Sequence, residues 1–240
     1  MKYYYISDIH LEWLNKYRVK SILKYFDPIT KEDTIIFNGD ICSPKYQLDF
    51  LISYLTNKVG HIIYVAGNHE YYGSSIQEID NYITSLEDKY LNFSFLNNKK
   101  IVVNGVEILG GTGWSNILNQ RVGSLNDLKT IENMSPERMT NLHEEFVLFL
   151  KTNIDSNKNQ VIVSHFLPSS GVITEYHKNS ELNFYFCNGV YDKNYELSPK
   201  YWLYGHDHSK NQKIKINDTI FLTNQGEYGN MRINLDYFKM

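Results

Sequence analysis

The stretch Ile62-Ile63-Tyr64-Val65-Ala66-Gly67-Asn68-His69-Glu70 is the part of the chain from which the fold can be predicted. Its apolar first half has the length of a buried strand, and Gly67 ends that run before three polar residues. Open α/β sheets build their ligand sites from residues at such carboxyl ends of strands. Taken alone, Gly-Asn-His-Glu is equally consistent with an ordinary turn, so the interpretation depends on whether the pattern recurs.

The pattern of an apolar run, a small residue and then Asp or His occurs four more times. The runs cover residues 2–6, 34–37, 160–163 and 201–204, and the polar residues that follow them are Asp8, His10, Asp40, His165, His206 and His208. Carboxyl ends of neighbouring strands meet at one edge of a sheet, so residues about 200 positions apart can become neighbours. In the last motif, strand alternation is expected to send both histidines to the same side.

Amphipathic helices are predicted between the first runs. Apolar residues at helical spacing indicate helices over residues 16–26 and 45–57. A capping box at residues 75–78 begins a third apolar stripe, which extends to Tyr90. This alternation of strands and helices predicts parallel strands joined by right-handed crossovers.

The second half of the chain is predicted to form strands and hairpins. Asn104-Gly105 indicates a type I′ hairpin, Ser135-Pro136 begins a helix, and a second hairpin is centred on Asn217-Asp218. The remaining segments are 110–134, predicted to be irregular, 166–198, predicted to be a loop with a short helix, and 231–238, predicted to be a final strand. We therefore expect an α/β fold in which two mixed sheets pack face to face with helices outside, in a single domain over residues 1–240.

The composition argues against several classes of protein. A formal net charge of −3 and a pI near 6.2 leave no basic footprint for a dedicated binder of nucleic acid or anionic membranes. No apolar stretch approaches the roughly 20 residues of a membrane span. Cys42 and Cys187 are too few for a disulfide framework, so we expect a cytoplasmic protein with two free thiols.

The polar residues at the strand ends are of the types that bind metal ions. Carboxylates, imidazoles and one amide, without a thiolate, suit Mn, Fe, Zn or Mg rather than a structural zinc site. The number of candidates exceeds what one ion needs. Two ions about 3.5–4 Å apart, which share a carboxylate and a hydroxide, are the simplest interpretation, and such pairs support phosphoryl transfer to water.

Together, the five motifs resemble those of the calcineurin-like metallophosphoesterases. They are Asp8-x-His10, Gly39-Asp40, Gly67-Asn68-His69-Glu70, Ser164-His165 and Gly205-His206-Asp207-His208, and they span nearly the whole chain. The stretch from Gly110 through Asp127 to His143 is similar to a small, uncapped bacterial subgroup of that family. The resemblance implies a four-layer α/β/β/α sandwich with a dinuclear metal site at the carboxyl edge of the strands.

The resemblance also implies a role for each motif residue. The first ion would be held by Asp8, His10 and His208, the second by Asn68, His165 and His206, and Asp40 would bridge both. A metal-bridging hydroxide would attack a phosphate ester, with two Mn²⁺ ions favoured and Fe, Zn or Mg open. His69 would be the general acid that protonates the leaving oxygen. Glu70 or another carboxylate would orient His69, or else Glu70 is a solvated or capping residue.

The expected substrate is a small phosphodiester or a nucleotide-like compound. His69 stands where lipid A precursor hydrolases of the family carry Arg, and no Arg lies in a motif, unlike in the protein phosphatases. A nuclease acting on RNA or DNA and a non-catalytic scaffold of the same fold are the alternatives. Gly67 is expected to let the backbone bend, and Cys42 to be a small buried residue rather than a nucleophile. Aromatic residues beside the motifs either stack on a substrate or pack around the site; they are Tyr71, Tyr72, Trp114, Phe166 and Tyr228.

Overall fold

The apolar run at the start of the stretch 62–70 forms strand β3, His61–Val65, in the computed structural model of the chain. It is buried along Ile62–Val65 because both faces of its sheet are covered. It pairs in parallel with β2 (Thr34–Asn38) and β4 (Phe93–Phe95). Beyond β2 lie the parallel β1 (Tyr3–Ile6) and the antiparallel edge strand β11 (Asp236–Phe238). The structure describes residues 1–43, 47–123, 125–155, 159–194, 197–208, 211–226 and 234–240.

A second, six-stranded sheet has the order β5-β6-β7-β8-β10-β9. Its strands are β5 (Lys99–Val103), β6 (Val106–Gly110), β7 (Gln160–Val163), β8 (Tyr201–Tyr204), β9 (Gln212–Ile216) and β10 (Thr219–Thr223). The four inner strands run parallel, and the edge strands β5 and β9 pair antiparallel. Asn104 and Gly105 join the first hairpin with φ angles of 52° and 77°, and positive φ at both positions is what a type I′ turn requires.

Three apolar clusters separate four layers. On β3, Ile62 and Tyr64 belong to the cluster shared with the outer helices, whereas Ile63 and Val65 pack against the second sheet. A third cluster lies between the second sheet and the helix that carries Phe146. The helices are α1 (Lys16–Leu23), α2 (Leu48–Thr56), α3 (Ile76–Lys89), α4 (Asp127–Thr130), α5 (Pro136–Asn153), α6 (Asn183–Phe186) and α7 (Val190–Lys193). The α/β/β/α sandwich of two mixed sheets is therefore confirmed.

Short elements account for most differences from the predicted elements. β4 has only three residues, too few for an alternating pattern to reveal it. The four-residue helices α4, α6 and α7 lie in segments predicted to be irregular or to hold a single short helix. The predicted helix over 16–26 ends as α1 at Leu23 and continues as a 3₁₀ turn to Phe26. Residues 45–46 and 231–233, part of two predicted elements, lie outside the described residues.

Within the described ranges, no helix combines the length and the apolar character that crossing a membrane would require. The longest helix, α5, instead alternates buried and exposed positions over 18 residues and covers the second sheet.

Candidate metal centre

All seven predicted ligands lie at the carboxyl ends of strands, and the two sheets bring them together. Five of them have left-handed backbone conformations: φ is 55° at Asp8, 49° at His10, 53° at Asp40, 81° at His206 and 49° at His208. Residues with a Cβ atom rarely adopt this conformation, and such strain concentrates at functional sites because the surrounding structure must hold it.

The backbone that carries His206 and His208 into the cluster differs from the predicted strand. β8 ends at Tyr204, so both histidines lie in a turn and not in a strand. His206 lies against His165, with Nδ1 to Nε2 at 3.2 Å, whereas His208 lies against His10, with Nε2 to Nε2 also at 3.2 Å. The alternation argument is therefore wrong, although both imidazoles do point into one cluster.

Asp40 lies between two groups of side chains. Its Oδ2 is 3.3 Å from His165 Nε2 on one side and 3.8 Å from His10 Nε2 on the other. Its Oδ1 accepts a hydrogen bond from the backbone N–H of His69 at 2.9 Å. The carboxylate is buried, and each group has ligand atoms within 4.8 Å of one another. Asp40 is thus the member common to both groups.

The first group contains Asp8, His10, Asp40 and His208. His208 Nε2 lies 3.4 Å from Asp8 Oδ1, which places a carboxylate beside the two facing imidazoles. His10 Nδ1 lies 3.0 Å from Glu12 Oε1. A carboxylate only accepts, so Nδ1 carries the proton and the lone pair of Nε2 faces the group. This is the tautomer of a metal-binding histidine whose other nitrogen is held by a carboxylate.

The second group contains Asp40, His165 and His206, with the amide of Asn68 beside them. Asn68 Oδ1 is 3.2 Å from His165 Nε2. His165 Nδ1 lies 3.0 Å from the carbonyl oxygen of Asn38 and must donate to it, so Nε2 is the nitrogen of His165 that faces the group and could bind a metal ion after losing its proton. Both groups therefore contain an imidazole whose Nδ1 is held by an acceptor and whose Nε2 faces the group.

The electrostatics of the cluster favour a bound cation. Burial would lower the pKa of His165, but the charge and hydrogen bond of Asp40, the charge of Asp8 and the Asn38 carbonyl together raise that pKa to about 10. Burial would likewise raise the pKa of Asp40, but the charges of His165 and His69 hold it well below its usual range. Carboxylates that keep their charge in a buried site require a positive partner. The donor set of carboxylates, imidazoles and an amide suits Mn, Fe, Zn or Mg.

Two glycines make room for this arrangement. A Cβ at Gly67 would lie 2.2 Å from Asp40 Oδ1 and 2.8 Å from His165 Nε2. A Cβ at Gly39, whose φ is 96°, would lie 2.3 Å from His165 Nδ1. Gly67 does not have a positive φ, so the position requires glycine for the space that its missing Cβ leaves to Asp40 and His165.

Glu70 lies beneath the cluster and holds the loops after β2 and β3 together. Its Oε2 accepts hydrogen bonds from the backbone N–H groups of Asp40 at 2.9 Å and Gly67 at 2.7 Å. Its Oε1 accepts from the Ile41 N–H at 2.7 Å and from the Tyr64 hydroxyl at 2.8 Å. Glu70 is fully buried and fixes the backbone of Asp40 from below; it is neither a solvated residue nor the partner of His69.

His69 lies at the rim of the cluster. Its ring stacks on Tyr72, with centroids 4.2 Å apart, and contacts the ring of His10 edge-on. His69 Nδ1 is 3.7 Å from Glu12 Oε1, a charge contact longer than a hydrogen bond. Burial would lower the pKa of His69, but the charges of Asp40 and Glu12 raise it to about 9. The carboxylate beside His69 is therefore Glu12.

An open pocket of about 340 Å³ lies over the cluster. The residues around it are Asp40, Asn68, His69, Tyr72, Leu125, Asn126, Leu182, Tyr185, Phe186, His206, Asp207 and His208. Tyr71, Tyr72, Trp114 and Phe166 lie within the described ranges, and of these four only Tyr72 reaches the pocket, because the others are buried in the core. Tyr228 lies outside the described residues.

Four contributors to the site carry no sequence signal strong enough to identify them. Glu12 lies two residues after the first motif, and Asp127 follows no strand, although its stretch resembles a family subgroup. Tyr185 and Phe186 lie in a segment predicted to be largely a loop, where no strand precedes them. The only available hint is the local cluster Phe184-Tyr185-Phe186, which is unusually aromatic for a surface loop.

The chain is similar to several known proteins. A family model described as calcineurin-like phosphoesterase matches residues 1–210. "Uncharacterized protein L509" of Acanthamoeba polyphaga mimivirus is 27% identical over 265 residues, which covers 97% of this chain and 93% of the viral protein. The phosphopantetheinyl hydrolase PptH of Mycobacterium tuberculosis has a similar structure, with a TM-score of 0.73 at 16% identity over 94% of this chain and 89% of that one. The structure of TT1561 of Thermus thermophilus is also similar, with a TM-score of 0.61 at 12% identity. The match covers 93% of this chain and 88% of that one.

Because the family model spans most of its 240 residues, the chain belongs to the calcineurin-like phosphoesterase family. The two solved structures, at such low identity, show a shared fold alone. The reaction class of the family is the hydrolysis of phosphoester bonds, and the cluster of Asp and His side chains at the strand ends could hold the metal ions for it.

Proposed function

We propose that the chain is a metal-dependent phosphoesterase that hydrolyses a small phosphodiester or a nucleotide-like substrate. The observation that carries the proposal is the position of Asp40 between two groups of ligand atoms. In this proposal Asp8, His10 and His208 hold one divalent ion, and Asn68, His165 and His206 hold the other. Asp40 serves both, and Mn²⁺ is the favoured ion.

When bound, the two ions would supply the Lewis acidity that activates water and neutralises charge at the phosphoryl group. The chain itself supplies their positions. Glu70 fixes the backbone of Asp40, and Glu12 and the Asn38 carbonyl fix the tautomers of His10 and His165. Imidazoles oriented in this way need little reorganisation on ion binding, so the site is preorganised for catalysis.

His69 is proposed to protonate the leaving oxygen. Its Nδ1 faces Glu12, which leaves Nε2 to carry the proton towards the substrate. Without bound ions the charges of Asp40 and Glu12 outweigh burial and raise the pKa of His69, and the hydrogen bond from its backbone N–H to Asp40 holds it beside the cluster. General acid catalysis of this kind typically accelerates a reaction by about 10²–10⁴-fold.

The pocket supports a substrate of low charge with an apolar or planar leaving group. None of the described residues around it is Lys or Arg, and Asp40 and Asp207 add negative charge. A phosphodiester carries one negative charge where a monoester carries up to two, so it needs less positive charge from the protein. Tyr72, Tyr185 and Phe186 offer rings on which a base or aryl group could stack.

The test is elemental analysis of the purified protein, combined with hydrolysis of bis(p-nitrophenyl) phosphate and of p-nitrophenyl phosphate with added Mn²⁺. We expect bound divalent metal and faster turnover of the diester. If the purified protein contains no metal and hydrolyses neither compound, the enzyme proposal is refuted and the scaffold alternative is favoured. Turnover of oligonucleotides above that of the small diester would favour the nuclease alternative. The cytoplasmic location and the single domain remain predictions.

A further inference from the structure

We infer that Asp127 is a positioning residue that sets the orientation of the Asn68 amide, so that its oxygen and not its nitrogen faces the second ion. The inference rests on the proposed function, because it concerns how Asn68 binds that ion. It extends the site to a residue that does not itself touch the ion or the substrate.

Asp127 is fully buried at the start of helix α4. Its Oδ1 accepts hydrogen bonds from Asn68 Nδ2 at 2.9 Å and from the Tyr72 hydroxyl at 2.8 Å. Its Oδ2 accepts from the Tyr185 hydroxyl at 2.8 Å. All three donors belong to residues around the pocket, so a single carboxylate anchors them.

The two ends of an amide are nearly equal in shape but opposite in chemistry. The oxygen can bind a cation, whereas the NH₂ group only donates hydrogen bonds. Asn68 Oδ1 lies 3.2 Å from His165 Nε2, inside the group that contains Asp40 and His206. Rotation of the amide by half a turn would place this oxygen against Asp127 and the NH₂ group against the ion. Both contacts would be repulsive, so the two oxygens of Asp127, which already accept from three donors, permit only one orientation.

The burial of Asp127 shows that the protein maintains this carboxylate at a cost. A buried carboxylate is costly unless donors satisfy it, and here the donors are the pocket residues themselves. The orientation of Asn68 and the positions of the two tyrosines therefore depend on the same group.

The first experiment is the substitution Asp127→Ala, with Mn²⁺ binding measured by calorimetric titration and by elemental analysis after gel filtration. Loss of an outer partner of a metal ligand typically weakens metal binding by about 10–100-fold. We expect that loss for one of two ions, with the ion at Asp8, His10 and His208 retained. Asp88→Ala, which removes an exposed carboxylate from α3, is the matched control and should bind both ions.

The second experiment is rescue by Asn68→Asp in the Asp127→Ala background. A carboxylate has an oxygen at both ends, so it needs no partner to orient it. We expect the double variant to recover most of the affinity for the second ion. If Asp127 served only to stabilise the fold, the Asn68 substitution would restore nothing, and that result would overturn the inference.

The outcomes separate this inference from the proposed function. Wild-type protein that binds no Mn²⁺ would refute the proposed function, whereas two ions in both wild type and Asp127→Ala would refute the inference alone. If the alanine variants do not fold, the Mn²⁺-loaded crystal structure of the wild type decides. Asn68 Oδ1 on the ion with Nδ2 on Asp127 supports the inference, and an Asn68 that does not bind the ion contradicts it.

Discussion

The floor and the wall of the pocket are built in different ways. The floor consists of residues at the ends of strands, such as His165 and Asp40, and all but the edge of it is buried. The wall consists of Leu125, Leu182 and Phe186, which lie in segments between strands. Leu125 is buried, whereas Leu182 and Phe186 are partly exposed. The two sheets support the floor, whereas the wall packs against the edge of the apolar cluster shared with the outer helices, and hydrogen bonds such as that from Tyr185 to Asp127 lie beside it.

This difference suggests a division of labour. The floor has little freedom to vary, because a Cβ at Gly67 or Gly39 would already collide with Asp40 or His165. The wall can change without disturbing a strand, as connecting segments generally can. We therefore expect substitutions in the floor to affect the chemical step and substitutions in the wall to affect substrate binding.

The largest effect is expected from Asp40→Asn, at the centre of the floor. An amide carries no charge to share between two ions, so metal and activity should be lost together. Because enzymes accelerate reactions by about 10⁶-fold or more, the loss of diester hydrolysis should exceed about 10⁴-fold. Metal content and turnover are measured on the same sample. Full metal content with lost activity would show that Asp40 is not a ligand.

His69→Ala should slow turnover by about 10²–10⁴-fold while metal content stays near that of the wild type. The loss should be greatest for aryl diesters with poor leaving groups, because these depend most on protonation of the leaving oxygen. The matched control is His61→Ala, at the opposite end of β3. An equal loss across a series of leaving groups would count against the acid role.

In the wall, Phe186→Ala should raise KM for nucleotide-like diesters by about tenfold with little change in kcat. Stacking of a base on an aromatic side chain contributes about 1–3 kcal/mol, and its loss weakens ground state and transition state alike. Leu148→Ala, exposed on α5, is the control. A fall in kcat at unchanged KM would contradict the division between floor and wall.

The smallest effect is expected from Glu12→Gln. Glu12 contacts both His10 in the floor and His69 at the rim. His69 is active as an acid when protonated, and this form is lost as pH rises through its pKa, which is about 9 without bound ions. Bound ions offset the charge of Asp40, so kcat/KM should fall at or below pH 9. Removal of the Glu12 charge lowers the pKa of His69, and the alkaline limb of the pH profile should move to lower pH. If the alkaline limb of the pH profile stays in place, Glu12 does not set the pKa of His69.

Sequence and structure agree most closely on the floor. Asp40 and His165 could be proposed as ligands because each follows an apolar run and a small residue. This pattern places a residue at the carboxyl end of a strand, where the ligands meet. The conformations were not predictable, since left-handed φ angles at Asp8 or His206 depend on tertiary support.

The wall and the supporting residues could not be found in this way. Glu70 accepts bonds from residues about 30 positions away, and Tyr185 contacts Asp127 across 58 positions. Such pairs follow no period, so only the folded chain reveals them. Glu70 shows the difficulty well: it lies inside a motif, yet it accepts hydrogen bonds from backbone N–H groups and the Tyr64 hydroxyl below the site.

The sharing of Asp40 by two ions is tested most directly by electron paramagnetic resonance of the Mn²⁺-loaded wild type. Two ions on one carboxylate would lie about 3.5–4 Å apart. At full loading we expect the spectrum of an exchange-coupled Mn²⁺ pair, which should be absent in Asp40→Asn. A fully loaded wild type that shows only the six-line spectrum of isolated Mn²⁺ would contradict the shared site.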